Sequence, residues 1–530
     1  MLQIKKSNSI IIAFVLSAVM IISILSKFSF IFPIQVAIFL FVLLLFIYLV
    51  NTNKFKPNFY ILSLMFFLVT CCLSYINADF KVNVRDYIII LSSAMMAGFC
   101  FSFLSVEWKK KVLFVPLFIS LWLAMILFTR FITNPQGFFY GDDFYESMAL
   151  NINIIAGFLA LIYPLFFIFI KEQKNTKVFI AMMLFVLFAI FLTKCRIVVL
   201  LSTISTIIFL FEYRKNKFIK VLIVLSIILL ISGIGYISFL KISSNSVADR
   251  IVWWKTAYLI FKENIFFGCG LGNYMTLFKA FRPELVIGTL YAHNIFLELL
   301  AEIGIVGLLS FVVLLFSFYK KFIENILKGK DKSFYIYIAI SITSFIAINL
   351  VDYNFFVPAN MIMFFIVFSS MFYVESEERQ KIKINFYACL AAYVVFVILF
   401  ARPVIANNYY KKGINFYVSG HYKVAIEEFN KAINFDKNNP EYYAQVSRAY
   451  FALYDKERDE KGQIYADKAI EYLQHAIKLN KYAAQLKASL AAVYWNNGKK
   501  EEALETIQEA MKYDKHDPDY EAYYYQLKNS

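Results

Sequence analysis

The run His293-Asn294-Ile295-Phe296-Leu297-Glu298-Leu299-Leu300-Ala301-Glu302-Ile303-Gly304-Ile305-Val306-Gly307 opens an apolar stretch that continues to residue 319, long enough to cross a bilayer as a helix. His293 and Asn294 stand at its mouth, two acids lie inside it and two glycines follow. Ionisable groups within a span are costly and usually face a bundle interior or a watery cavity, so the segment predicts a helical membrane fold and a place for chemistry. At roughly 100° per residue, Glu298 falls about 140° and Glu302 about 180° around the helix from His293. The wheel therefore predicts no dyad of His293 with either acid. The acids either line a cavity or pack against polar groups of neighbouring helices, and Gly304 and Gly307 are expected to let helices approach closely.

The rest of the chain agrees with a membrane protein. Of its 530 residues 60% are hydrophobic, with 59 Phe, and they are gathered into long runs, which excludes an ordinary soluble domain. Spans are expected near 9–26, 32–50, 59–76, 87–105, 112–129, 149–170, 178–193, 197–212, 218–240, 294–319, 334–350, 359–374 and 384–401.

The net charge of +16 would suit nucleic acid, but its distribution does not. From residue 403 onward 18 Lys+Arg balance 18 Asp+Glu, so the excess lies in the first 402 residues. There, alternate segments (the N-terminus, 51–58, 106–111, 171–177, 213–220, 320–332 and 375–383) hold 22 Lys+Arg, and the short loops between them hold six. The positive-inside rule then predicts a multi-pass protein with a cytoplasmic N-terminus, an external loop at 241–292 and an extracytoplasmic tail. Lys5 and Lys6 before a long apolar run are expected to head a retained anchor rather than a cleaved leader. Cys71, Cys72, Cys100 and Cys389 fall in spans and only Cys195 and Cys269 in external segments, so neither a disulfide framework nor metal-ligand spacing is present.

After Arg402 a Tyr-, Lys- and Glu-rich pattern repeats with a period of roughly 34 residues. Gly413, Phe416, Gly420, Ala425, Phe429 and Ala432 mark the first unit; Ser447, Tyr450, Ala469, Leu473 and Ala476 the second; Ala491, Tyr494, Gly498, Ala503, Ile507 and Ala510 the third, with 455–463 as an insertion. This resembles the tetratricopeptide repeat, an α-solenoid whose groove commonly takes a protein partner. The expected division is a transmembrane domain at 1–402 and a helical repeat domain at 403–530. His421, His475 and His516 lack ligand spacing and read as surface or packing residues.

His293 is the remaining histidine. Arg196 opens the span 197–212 from the external side, where the charge rule does not favour a cation, and Arg250 begins an amphipathic stretch, Asp249-Arg250-Ile251-Val252-Trp253-Trp254, in the external loop. Guanidinium forks bind diphosphate in bidentate fashion, and a neutral imidazole accepts a proton near pH 7. Singly, each could be a headgroup contact or a helix cap.

Their order is more telling. An arginine at a span entrance, an external Arg–Trp segment, the turn Gly268-Cys269-Gly270-Leu271-Gly272-Asn273-Tyr274, and then His293, Asn294, Leu297, Glu302, Gly304 and Gly307 resemble the O-antigen ligase/polymerase superfamily of polytopic glycosyltransferases. No strand pattern surrounds the glycine turn, which excludes a dinucleotide loop. Cys195 departs from the pattern, since a serine or other small residue commonly precedes the arginine. The resemblance implies an all-α, GT-C-like bundle of twelve or thirteen transmembrane helices. It further implies inverting transfer of a glycan from undecaprenyl diphosphate to a hydroxyl of a lipid, glycan or protein acceptor on the outer face, with neither metal nor cofactor. His293 would be catalytic; Arg196 and Arg250 would bind the donor phosphates; Asn294, Glu302, Arg282, Asn151, Asn153 and Asp352 would line the cavity. The acidic cluster Asp142, Asp143 and Glu146 reads as a solvated face.

Within that resemblance the acceptor separates a ligase from a surface polysaccharide polymerase or a protein O-oligosaccharyltransferase. A transporter of lipid-linked sugar would more often show duplicated halves or interrupted helices, and a scaffold would need one or two spans rather than thirteen. Membrane lipids, a lipid-linked donor and a protein held by the repeats are the expected partners, with no nucleic acid. A topology reporter fused after residue 402 is expected to read as external; a cytoplasmic signal would invert the loop assignment.

Overall fold

The computed structural model describes residues 6–26, 31–135, 152–172, 176–212, 215, 224, 246–286, 288–378, 385–457 and 460–529. Long apolar runs become helices because, in lipid, a helix satisfies each backbone N–H and C=O within its own segment. Those of the membrane part are α1 (Lys6–Leu25), α2 (Phe32–Thr52), α3 (Phe59–Asn77), α4 (Lys81–Ser102), α5 (Val106–Thr133), α6 (Ile152–Glu172), α7 (Thr176–Leu192) and α8 (Arg196–Phe211). After the connecting loop come α11 (Ile295–Lys328), α12 (Lys332–Ile348) and α13 (Pro358–Ser369), and then α14 (Asn385–Val418). Among the described residues eight helices are long and apolar enough to cross a membrane, and four shorter apolar helices accompany them. Together these coincide with twelve of the thirteen expected spans. The other, 218–240, lies outside the described residues apart from Val224.

Among the described residues the connections sort into two groups at opposite ends of the bundle, matching the alternate sets separated by their Lys and Arg content. At one end, β1 (Asn53–Phe55) pairs antiparallel with β2 (Ser376–Glu378), with Lys54 opposite Glu377. At that end Lys110 also meets Glu172 at 2.7 Å and Asp331 at 3.3 Å, and Lys171 pairs with Glu212. The other end carries the loop 246–294, the connection 349–357 and the repeats.

That loop holds two helices, α9 (Ser246–Glu263) and α10 (Tyr274–Phe281), around a small core of Ala257, Ile260, Cys269, Leu277, Phe278 and Ala301. Its glycine turn is wedged against a break in α11. Gly304 leaves helical geometry there, with φ 67° and ψ −170°, so the ladder of α11 opens. The loop fills the gap: Cys269 N donates to Ala301 O (3.0 Å) and Gly270 N to Glu302 O (2.9 Å), while Ile305 N donates to Ile265 O (2.8 Å) and Val306 N to Phe266 O (3.3 Å). Gly304 thus admits the loop backbone rather than a neighbouring helix.

α14 runs unbroken through Arg402 and Pro403. At about 50 Å it exceeds the hydrocarbon thickness, so its far end projects beyond the bundle as the first helix of the repeats. Proline is tolerated here inside the helix, at the junction expected to separate the two parts. Antiparallel helices follow as α15 (Tyr422–Phe435), α16 (Pro440–Lys456), α17 (Glu460–Leu479), α18 (Ala484–Asn496), α19 (Lys500–Tyr513) and α20 (Pro518–Asn529). The small residues of the repeat pattern, Ala425, Ala469, Ala491 and Ala503, are buried where these helices touch.

A Cβ at Gly304 would lie 2.4 Å from the Phe266 carbonyl carbon, whereas one at Gly420, also left-handed at φ 78°, would meet nothing within 4 Å. Gly304→Ala is therefore expected to cost about 3 kcal/mol or more and to lower the thermal midpoint of the full chain sharply. Gly420→Ala should cost only about 1–2 kcal/mol. Equal midpoints for the two variants would contradict the account of the helix break.

Candidate functional site

His293 lies outside α11, not on it. Its backbone is left-handed at φ 55°, and Asn294 is the N-cap, with its side-chain oxygen accepting from Phe296 N (3.0 Å) and Leu297 N (3.1 Å). Asn294 also donates to Leu350 O at 3.1 Å, tying the cap to the connection between α12 and α13. Glu298 reaches back and accepts from Ala292 N, one residue before the histidine. Cap and acid together fix a strained turn that throws the imidazole away from the helix axis.

Two elements close on that imidazole, α9 and the connection between α12 and α13. α9 lays the Trp253 ring over it, with centroids 4.5 Å apart and planes at 26°, and Tyr353 meets it edge-on at 4.9 Å. Asp352 Oδ1 stands 3.8 Å from Nδ1, beyond a good hydrogen bond. One turn before Trp253, Arg250 donates from Nε to Val351 O at 3.0 Å, the carbonyl next to Asp352. Tyr291 stacks on Tyr353 at 4.8 Å, and its hydroxyl is 2.7 Å from that of Tyr87 on α4. His293 Nδ1 is buried without a hydrogen-bond partner among the described residues. The group is thus an imidazole in an aromatic box, with a guanidinium and a carboxylate on one side.

Of the residues singled out from sequence, His293, Arg250, Asn294 and Asp352 come together here. Arg196 is half-buried as the first residue of α8, whose far end, Glu212, belongs to the opposite set of loops. Asn153 is half-buried in the first turn of α6. Asn151, Asp142, Asp143 and Glu146 lie outside the described residues.

Two residues hold structure instead of lining the box. Glu302 is buried and accepts from Tyr274 N at 3.0 Å, anchoring the start of α10. Arg282 meets Asp514 of the repeats at 2.5 Å and donates to Val286 O at 3.2 Å. Trp253, Tyr291 and Tyr353 were not anticipated as neighbours of His293. The Arg–Trp spacing in α9 was the available signal, since residues three apart share a helix face.

With this geometry described, comparison with known proteins adds the following. Residues 181–312 match the family described as O-antigen ligase, a stretch that includes Arg196, Arg250, the glycine turn, Arg282, His293, Asn294 and Glu302. No curated protein matches the chain. Solved structures that match include the first TPR of Spaghetti (RPAP3) bound to an HSP90 peptide, at 19% identity over 24% of this chain and 91% of that one, TM-score 0.21. MamA matches at 23% identity over 25% and 75%, TM-score 0.18, and a thermophilic TPR protein of Thermus thermophilus at 21% over 23% and 80%, TM-score 0.16. Residues 181–312 thus resemble an O-antigen ligase domain, within a chain whose apolar helices are those of a multi-pass membrane protein.

Burial, and after it the charge of Arg250, pushes the His293 imidazole down to about 3. Asp352, at 3.8 Å, does not offset them. An unfolded histidine protonates near 6.5, so as pH falls the unfolded chain gains the proton first. The stability tied to this group is full above about 6.5 and is lost as pH falls from there towards about 3. Histidine ring-nitrogen NMR of the full chain should find His293 still neutral at about pH 5, where an ordinary histidine is charged. An imidazolium signal for His293 near pH 6 would contradict the buried site.

Proposed function

We propose that the O-antigen ligase domain transfers a glycan from undecaprenyl diphosphate to an acceptor hydroxyl on the outer face of the membrane, with inversion at the anomeric carbon. The observation that carries this reading is the convergence of Arg250, Asp352 and His293 at the mouth of α11. Arg250, with Arg196 at the entrance of α8, would hold the diphosphate. The acceptor oxygen forms a bond to the anomeric carbon as the bond from that carbon to the phosphate oxygen breaks. The acceptor proton passes to His293, and undecaprenyl diphosphate leaves with the bonding electron pair. Charge building on the leaving phosphate would be stabilised by guanidiniums in a site shielded from water.

The electrostatics order these events. Burial and Arg250 both oppose an imidazolium, which makes His293 a weak base. A donor diphosphate beside Arg250 would cancel that positive charge and strengthen the base when a substrate is present. Asp352 would then stabilise the imidazolium it faces. On this reading 1–402 is the transferase, the N-terminus is cytoplasmic, and the repeats at 403–530 are extracytoplasmic beside the site. Glu302, Asn294 and Arg282 support the site, and Asn151 and Asn153 border the donor path.

In cells expressing the full chain, His293→Ala is expected to lower glycan transfer at least about 100-fold without loss of protein. Arg250→Lys keeps the charge but loses the fork and should weaken use of the donor. Mass spectrometry of surface glycans reads both, and normal transfer by His293→Ala would sink the mechanism.

A further inference from the structure

The repeats do not hang free of the membrane part. Asp514, in the turn after α19, is fully buried and meets Arg282 at 2.5 Å; the Arg282 side chain is only 5% exposed. Lys279 Nζ lies 3.4 Å from the second oxygen of the same carboxylate. Beside them Tyr482, between α17 and α18, packs on Phe281 with ring centroids 6.0 Å apart and enters the small core of the loop. A carboxylate of the repeats therefore grips the C-terminal end of α10.

The N-terminal end of the same helix touches the site. α10 is only eight residues long, so its two ends lie about 12 Å apart. At its start Tyr274 N donates to Glu302, and the Tyr274 hydroxyl donates to Trp253 O at 3.0 Å. Trp253 is the residue whose ring covers His293 at 4.5 Å. The contacts thus run without a gap from Asp514 through Arg282 and α10 to Trp253 and the imidazole.

We propose that Asp514 is a positioning residue for the His293 site, so that the repeat module completes the transferase through the Arg282 ion pair and Tyr274. This rests on the glycan-transfer reading for its consequence in rate, but not for its geometry. Loss of the carboxylate leaves a buried guanidinium without its partner, and such a charge moves toward water, taking the end of α10 with it. Tyr274 then releases the Trp253 carbonyl, and the ring no longer shields His293.

The test uses the full chain in membrane vesicles and diethyl pyrocarbonate, which acylates neutral imidazoles. Peptide mass spectrometry gives the labelling of His293 relative to His421 and His475, which lie in the repeats away from the Asp514 turn and serve as internal standards. Asp514→Asn is expected to raise that ratio several-fold and to lower glycan transfer about 100-fold, as misplacement of a catalytic group does. The exchange Arg282→Asp with Asp514→Arg should return both readouts toward the parent values. Tyr274→Phe, which keeps the ring and the backbone amide, should also raise the ratio, and it serves if Asp514→Asn fails to accumulate. Parent-level labelling in Asp514→Asn, or in Tyr274→Phe where only that variant is obtained, overturns the inference. If His293→Ala abolishes transfer in the same cells, that result leaves the transferase reading standing. Normal transfer by His293→Ala would instead remove the transferase reading while labelling still decides the relay.

Discussion

The structure depends on the exchange of backbone hydrogen bonds between α11 and the glycine turn. Opening a helix ladder within a membrane protein strands carbonyls and amides that lipid cannot solvate, and each such group costs several kcal/mol, so a break persists only where other backbone replaces the lost partners. Here the loop supplies two donors and two acceptors over residues 265–270, and Gly304 supplies the conformation that lets them in. The exchange fixes more than the break. It sets where α9 ends and α10 begins, and through Trp253 and Tyr274 it sets what stands over His293.

The two acids inside α11 serve the same arrangement. Glu298 accepts the amide before His293, and Glu302, one turn on, accepts the amide that begins α10. Each ties α11 to one of the two chain segments that meet at the site, the turn carrying the histidine and the helix leading to Asp514. Buried carboxylates are tolerated when hydrogen bonds offset part of their desolvation, and such groups specify a geometry more than they add stability. The expectation of polar packing for these acids agrees with this, although their partners are backbone amides of the loop rather than neighbouring helices.

Periodicity and charge made the membrane fold legible. Apolar runs located twelve spans found as helices, and Lys and Arg counts separated loops that gather at opposite ends, because both signals are local and summed over many residues. The site was legible only in part. His293 and Arg250 stood out because a lone imidazole and a guanidinium are conspicuous among apolar residues, yet the helical wheel could not place His293, since Asn294 ends the helix before reaching it. Asp352 and Tyr353 approach from a connection almost sixty residues away in sequence, beyond the reach of any period. Arg282, which the resemblance would place along the cavity, has a buried partner, Asp514, in a module that the repeat pattern describes without showing how it docks.

The docking itself follows from charge and apolar contact acting together. Lys481 with Asp79 at 2.8 Å and Arg85 with Asp436 at 2.8 Å join the repeats to the ends of α3 and α4; the first pair is largely exposed and screened and adds little stability, whereas Asp436 in the second is buried. Arg282 and Asp514 are the most buried of the three pairs, set against Tyr482 and the loop core, where a misaligned charge is expensive. The exposed pair can select a broad face; the buried charges admit one register. A continuous α14 narrows the search further by delivering the first repeat helix along a rigid axis rather than through a flexible linker. The repeats are therefore held against the loop that bears the glycine turn, α10 and Trp253, so the wall of the proposed site and the repeat module share one set of contacts.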